Sequence, residues 1–379
     1  MTTIDVDVEA QLGGTSAEGV RLVDASGAVR NGVVPWAPVK IEGERIDAEI
    51  ERLSQGPTPP DGRRVALLVH PEATGPGLGL APGVQVAVEV LLPGEATAPV
   101  RQNASLVQIG LRGEGVVDVA GVAHVQRRWD VATVPAMRPY VFRNESSQPW
   151  VRLSYSNSPL LAALGVHYVE RLASVVPPER EVVDGGDYVR EKSPDVPIGT
   201  EGARLRGYEH LVDIEVVDNP PLLWPWSEVE QHLSSRPGDG KRPIMAYYNP
   251  ATGRRSGATQ SFFVTAMTVP PGSPRKEAGP GHRHTSVAIN YHFRGRGSSV
   301  VDGREISWKA GDLLLSAPGW SEHAHFWGDE GFGAFTVQDH PLQIAMESLV
   351  WQEELDGPVL ALGSEAGQTG YLGPRQSGT

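Results

Sequence analysis

Short motifs in this chain recur in the same order about 180 residues apart, which makes an internal duplication the first constraint on its fold. His70-Pro71-Glu72-Ala73-Thr74-Gly75 resembles Asn249-Pro250-Ala251-Thr252-Gly253, and Pro93-Gly94 matches Pro271-Gly272. Arg112-Gly113-Glu114-Gly115 matches Arg294-Gly295-Arg296-Gly297, and Asn157-Ser158-Pro159-Leu160 matches Asp339-His340-Pro341-Leu342. Pro35-Trp36 precedes a helical stretch near 46–53. Pro225-Trp226 precedes another at 227–233, which opens with the capping-box pair Ser227 and Glu230. The 379 residues are enough for two domains of ordinary size.

Each half is dense in strand signals. Residues 84–92, 106–111 and 116–119 read as strands of the first half, and 262–269, 287–293, 298–301 and 312–316 as strands of the second. Gly, Pro and Asp fall between them, and 32 prolines argue against a mainly helical protein. Short, evenly spaced strands with few long helices predict an all-β sandwich or barrel in each half. The charged, aperiodic stretch 177–202 reads as a linker, and the Gly/Ser/Gln-rich stretch 363–379 as a disordered tail.

Composition excludes several function classes. There is no cysteine, so disulfides, thiolate metal sites and thiol nucleophiles are out, and any transition metal must be held by His, Asp or Glu. A formal net charge of -13 argues against a nucleic-acid partner. No apolar run approaches the length of a membrane span, and residues 1–11 are polar and acidic rather than basic then apolar. A cytoplasmic protein with no membrane partner is expected.

Five of the 11 histidines fall between 282 and 325. They begin with His282-Arg283-His284 and end with His323-Ala324-His325. Two histidines at i and i+2 on a strand point to one face, so both imidazoles can reach one ion, and a third ligand then has to come from another strand. The segment from Pro318 to His323 supplies it after a turn. The positions matching these in the first half, near 100–103 and 140–143, carry no histidine. Histidines kept for folding alone would be present in both halves, so their confinement to one favours chemistry over architecture.

From about Pro35 to Glu354 the sequence resembles the bicupin gentisate 1,2-dioxygenase-like family, which opens gentisate, salicylate and 1-hydroxy-2-naphthoate rings. The resemblance is carried by Leu91-Leu92-Pro93-Gly94-Glu95, His282-Arg283-His284-Thr285 and the Gly295-x-Gly297 turn. Val301-Asp302-Gly303, Gly311-Asp312, Pro318-x-Trp320-x-x-His323-x-His325 and Asp339-x-Pro341-Leu342 complete it. It implies two cupin (double-stranded β-helix, jelly-roll) barrels with a few short helices. The divisions are an arm and helix at 1–80, a cupin without metal ligands at 81–172, and a linker and helix at 173–243. A metal-binding cupin at 244–350 and a tail at 351–379 follow. It also implies Fe(II) on His282, His284 and His323, a catalytic role for His325 near substrate and oxygen, and a homo-oligomer. The glutamate usual in cupins five residues after the second histidine is replaced by Ile289, as in the gentisate group.

The chain departs from the family in placing its metal motif in the C-terminal barrel. It also has Asn290 where the family holds the substrate anion with an arginine, and Thr336 in place of an acidic residue.

Three neutral ligands leave the ion its full charge and up to three open positions, an arrangement suited to Fe(II) and oxygen. A small hydroxylated or amino-substituted aromatic acid would chelate two of them, with O2 at the third. By alternation Asn290 and His292 face inward as substrate-binding candidates, with Trp320 as an aromatic wall. Arg283, between two inward residues, faces outward. Two other readings use the same residues. One is a metal cupin of another class, such as a non-ring-opening oxygenase, or an isomerase or lyase on Ni, Mn or Zn. The other is a non-enzymatic small-molecule binding cupin.

Overall fold

The computed structural model describes residues 32–176, 195–198, 200–206, 219–233, 244–255, 257–273 and 280–364. The chain divides into two compact units, Met1–Val34 and Pro35–Thr379; of the first only 32–34 are described. Most of the stretch read as a linker, and of the tail beyond 364, lies outside the described residues. Within the linker a hairpin pairs Asp195–Ile198 with Ala203–Arg206.

The second unit is built from antiparallel sheets with short helices, and it repeats itself hydrogen bond by hydrogen bond. In the first half a six-stranded sheet contains Arg64–Leu68, Gln85–Leu91, Trp150–Ser156, Leu106–Arg112, Val131–Val134 and Leu223–Trp224 in that spatial order. In the second half Ile244–Ala246, Phe263–Val269, His323–Gln338, Val287–Val301 and Leu313–Pro318 follow the same order. The two strands expected at 287–293 and 298–301 are one strand, because Gly295 takes a positive φ of 77° and the chain bulges without leaving the sheet.

Turn contacts match across the halves. The Ser105 amide donates to Asn157 Oδ1 at 3.0 Å and the Val287 amide to Asp339 Oδ1 at 2.8 Å. Ala73 donates to the His70 carbonyl as Thr252 does to that of Asn249, both at 2.9 Å. The repeated Arg-Gly-x-Gly motif has a steric origin. A Cβ on Gly115 would meet the Trp150 ring at 2.2 Å, and one on Gly297 would meet the Trp308 ring at 2.5 Å.

The lead-in segments are exchanged. Val39–Ile41 pairs with Leu313–Leu315 of the second barrel, and Leu223–Trp224 pairs with Val131 and Ala132 of the first. The helices that follow, Gly43–Gln55 and Trp226–Leu233, are tied in the same crosswise way. Gly43 donates to Asp312 Oδ1 at 2.9 Å, and Trp226 donates to Asp130 Oδ1 at 2.7 Å. By these bonds Gly43 corresponds to Trp226, so Pro35-Trp36 lies seven residues upstream of the position its motif suggested.

Alternation decides where each side chain goes. On Leu106–Arg112 and Val287–Val301 the outward residues Val107, Ile109, Leu111, Ile289 and Tyr291 join one apolar cluster. That cluster also takes in Val86, Val88, Leu313, Phe335 and Val337 from both halves. The two large sheets therefore pack outer face to outer face, each fully buried apolar side chain contributing about 1.5–3 kcal/mol. The inward residues are left for the two barrel interiors, where the halves differ. Among the described residues no helix is long and apolar enough to cross a membrane.

Candidate metal centre

His282 and His323 face each other across an antiparallel bridge, exchanging backbone hydrogen bonds of 3.2 and 2.9 Å. Gly281 permits this approach: a Cβ there would lie 2.5 Å from the His323 carbonyl oxygen. His284, two residues on in the short strand Arg283–His284, points to the same side. One ligand nitrogen from each of His282, His284 and His323 lies within 4.8 Å of the others. His284 and His323 are buried.

The tautomers are set by the backbone. His284 Nδ1 lies 2.8 Å from the Ser286 carbonyl oxygen, and His323 Nδ1 lies 3.0 Å from that of Ser321. A carbonyl oxygen only accepts, so Nδ1 carries the proton in both rings and Nε2 keeps its lone pair for a metal. Burial, then the neighbouring His323 and His340, hold the His284 pKa well below the usual histidine value, so this ligand is neutral as metal binding requires. Trp351 stacks on His282 and His284 with ring centroids 4.9 Å from each. Neutral nitrogens in a buried pocket suit a divalent first-row metal such as Fe, Ni or Zn; their chemistry does not choose among these.

The other candidates fall in layers away from this group. His325 has its ring 5.8 Å from that of His323, and its Nδ1 lies 2.7 Å from Ser299 Oγ, which accepts from Trp308 Nε1 at 3.0 Å. Asn290 is buried, donating to Ser316 Oγ at 2.6 Å and accepting from Thr336 Oγ1 at 2.7 Å. His292 lies deeper, stacked on Trp308 at 3.9 Å, with its pKa lowered by burial to about 3. Trp320 is placed elsewhere: the Arg283 guanidinium lies 4.7 Å over its ring, so it packs with the outward-facing residue of the His-Arg-His motif.

Sequence reasoning missed Gln338, His340 and Trp351. Gln338 Nε2 lies 3.4 Å from His284 Nε2, so its amide borders the metal position directly. The His340 ring meets His284 edge-on at 5.2 Å and stacks on Phe263. Gln338 was legible by alternation from Thr336. His340 and Trp351 arrive by the tertiary fold, on the helix His340–Ala345 and on the strand Val350–Gln352, which pairs with Arg283–His284.

No family model matches the sequence. The 5-nitrosalicylic acid 1,2-dioxygenase of Bradyrhizobium sp is 30% identical over 147 residues, 36% of this chain and 68% of that protein. The chain belongs to the gentisate 1,2-dioxygenase-like family. A second relative of this family member is the 5-aminosalicylate 1,2-dioxygenase of Comamonas sp. The two are 25% identical over 270 residues, 68% of this chain and 66%, just under two thirds, of that protein. Its fold is that of the salicylate 1,2-dioxygenase from Pseudaminobacter salicylatoxidans, with a TM-score of 0.66, 17% identity and coverage of 84% and 88% of the two chains.

In this gentisate 1,2-dioxygenase-like protein the first barrel answers the second position by position. Val100 pairs with Tyr140 as His282 does with His323. Gln102 stands for His284 and donates to Tyr140 Oη at 2.9 Å, while Phe142 stands for His325. The interior is filled by a buried ion pair, Arg152 with Glu89, whose guanidinium lies 4.5 Å over Phe142 and 4.0 Å over Trp150. Aromatic rings and an internal salt bridge thus occupy the space that the second barrel gives to its histidines.

Proposed function

We propose that this chain is an Fe(II)-dependent dioxygenase that opens the ring of a small hydroxylated or amino-substituted aromatic acid with O2. The observation that carries the reading is the triad His282, His284 and His323, with two Nδ1 atoms tied to carbonyl oxygens and two rings braced by Trp351. The names of the relatives, 5-aminosalicylate and 5-nitrosalicylic acid dioxygenases, support a ring bearing adjacent carboxylate and hydroxyl. An iron held there supplies the electron chemistry that links substrate and O2, which side chains cannot. A cytoplasmic homo-oligomer belongs to the same reading, as do barrel cores at 81–172 and 244–350.

The surrounding residues divide the remaining work. Asn290, locked between Thr336 and Ser316, offers dipoles but no charge, so a metal held by the three histidines would supply the positive charge that an arginine does not. Gln338 is placed to hydrogen-bond a substrate oxygen beside His284. His325, held through Nδ1 by Ser299, presents its other ring nitrogen for hydrogen bonding or proton transfer. His292, buried and stacked on Trp308 at 3.9 Å, has the part of supporting that ring.

Anaerobic reconstitution with Fe(II), followed by oxygen uptake against salicylates, gentisates and aminobenzoates, tests the reading. Uptake with loss of the aromatic absorbance is expected for at least one of them. Metal binding without uptake on any would favour the second reading, a metal cupin of another reaction class, to which the neutral Asn290 already points.

A further inference from the structure

A cavity of about 230 Å³ lies at the seam of the two barrels, on the outer faces of their large sheets. It is walled by the helix Gly43–Gln55 through Ile46 and Ile50, by Leu111 and Trp129 of the first barrel, and by Tyr291 and Phe293 of the second. Tyr291 and Phe293 point away from the interior that holds Asn290 and His292, because they alternate with them on one strand. The cavity is therefore separated from the metal centre by the thickness of the sheet.

Three features distinguish it from a packing gap. Tyr291 is only 7% exposed, and its hydroxyl opens on the cavity with no hydrogen bond to a described residue. Asp47, Arg112 and Arg128 all lie near enough to act on that hydroxyl, whose pKa burial has raised. Arg128 has no ion pair among the described residues and is held by stacking, 4.5 Å over the Trp129 ring. Trp129 itself has a φ of 68°, a conformation rare for a bulky residue, at the position matched by Gly311 in the second barrel.

The lining specifies the ligand. Arg112 pairs with Asp47 and Lys40 with the nearby Asp312, which leaves Arg128 as the cation at the mouth and calls for a monoanion. The Trp129, Tyr291 and Phe293 rings call for a flat apolar body. The volume falls below the roughly 300 Å³ at which pockets for drug-sized ligands begin, which limits that body to one ring. We propose that the seam cavity binds a monocyclic aromatic carboxylate, with its carboxylate toward Tyr291 Oη and Arg128. The cavity and its lining are independent of the chemistry at the metal centre.

Calorimetric titration of the full-length His282→Ala/His323→Ala chain with benzoate tests the site, since that chain cannot gather benzoate at a metal. One-to-one binding is expected, with cyclohexanecarboxylate weaker and benzyl alcohol weaker still. Tyr291→Phe removes a hydrogen bond to a charged group and weakens binding at least about tenfold. Arg128→Ala, at an exposed position, weakens it several-fold, and Asp47→Asn, which removes a negative charge, tightens it. No binding at millimolar benzoate, or affinity unchanged in both Arg128→Ala and Tyr291→Phe, overturns the proposal.

Discussion

His284 Nδ1 lies 2.8 Å from the carbonyl oxygen of Ser286, the residue two further along the chain, so a local turn fixes which nitrogen faces the metal position. His323 repeats the device with Ser321. Replacing either ring removes a pre-set ligand, so His284→Ala and His323→Ala are expected to lose most bound metal. His325→Ala, whose Nδ1 is turned to Ser299, should keep it. Elemental analysis after anaerobic loading decides this, with circular dichroism as the fold control; equal metal in His284→Ala would remove the triad from consideration.

Trp308 Nε1 can only donate, so Ser299 Oγ accepts from it and keeps its proton and a second lone pair for His325 Nδ1. Ser299 thus anchors Nδ1 in either tautomer and leaves Nε2 as the ring nitrogen facing away from it. Ser299→Ala should lower kcat about tenfold, less than the roughly 100- to 10,000-fold of losing a proton-transfer group itself, while metal content and KM stay near wild type. Nitrogen-15 spectra of the histidine rings provide a second readout, because the tautomer ratio of His325 should change. An unchanged ratio would assign Ser299 to packing alone.

Asn290 bonds one buried hydroxyl, Ser316 Oγ, and one half-buried hydroxyl, Thr336 Oγ1. Asn290→Leu removes both bonds, while Ser316 Oγ keeps the Ala288 carbonyl at 3.4 Å, and an unsatisfied buried group costs about 1–3 kcal/mol. A loss of about 1–3 kcal/mol in urea unfolding is expected. A loss under half a kcal/mol would mean that water replaces the amide readily.

His292 carries a pH signature. Burial lowers its folded pKa from 6.5 to about 3, so the unfolded chain binds the extra proton between those values. Its contribution to stability is complete above pH 6.5 and is lost as pH falls toward 3, by up to about 1.4 kcal/mol per pH unit. Asp339, pushed up to about 6 by burial, has the opposite sign: its contribution is present below 3.8 and lost as pH rises through 6. His292→Phe keeps the stack on Trp308 and Asp339 alike. Urea midpoints of the metal-free proteins at pH 6.5, 5.5 and 4.5 should therefore fall less steeply in the variant, and parallel slopes would place water or a counter-charge at His292.

Much of this architecture is written locally. The period-2 alternation that puts Asn290 and His292 inside and Ile289 and Tyr291 outside is a property of the strand itself, and so is the shared face of His282 and His284. The repeated glycines were also visible, although their reason, the indole rings over Gly115 and Gly297, was not. Trp320 shows the limit: alternation and its motif suggested an aromatic wall, whereas its ring packs under the Arg283 guanidinium at 4.7 Å.

By itself the sequence determined the duplication, the β architecture and the three histidines on one side only, because these follow from periodicity, turn chemistry and residue type. The tertiary structure decided what crosses between segments distant along the chain. It swapped the lead-in strands, placing Gly43 on Asp312 and Trp226 on Asp130. It brought Gln338, His340 and Trp351 to the histidines, and it set Arg152 on Glu89 where the first barrel lacks them. The physical reason is that strand alternation fixes the face a side chain takes, whereas its partner across the barrel depends on the register of strands paired over long loops.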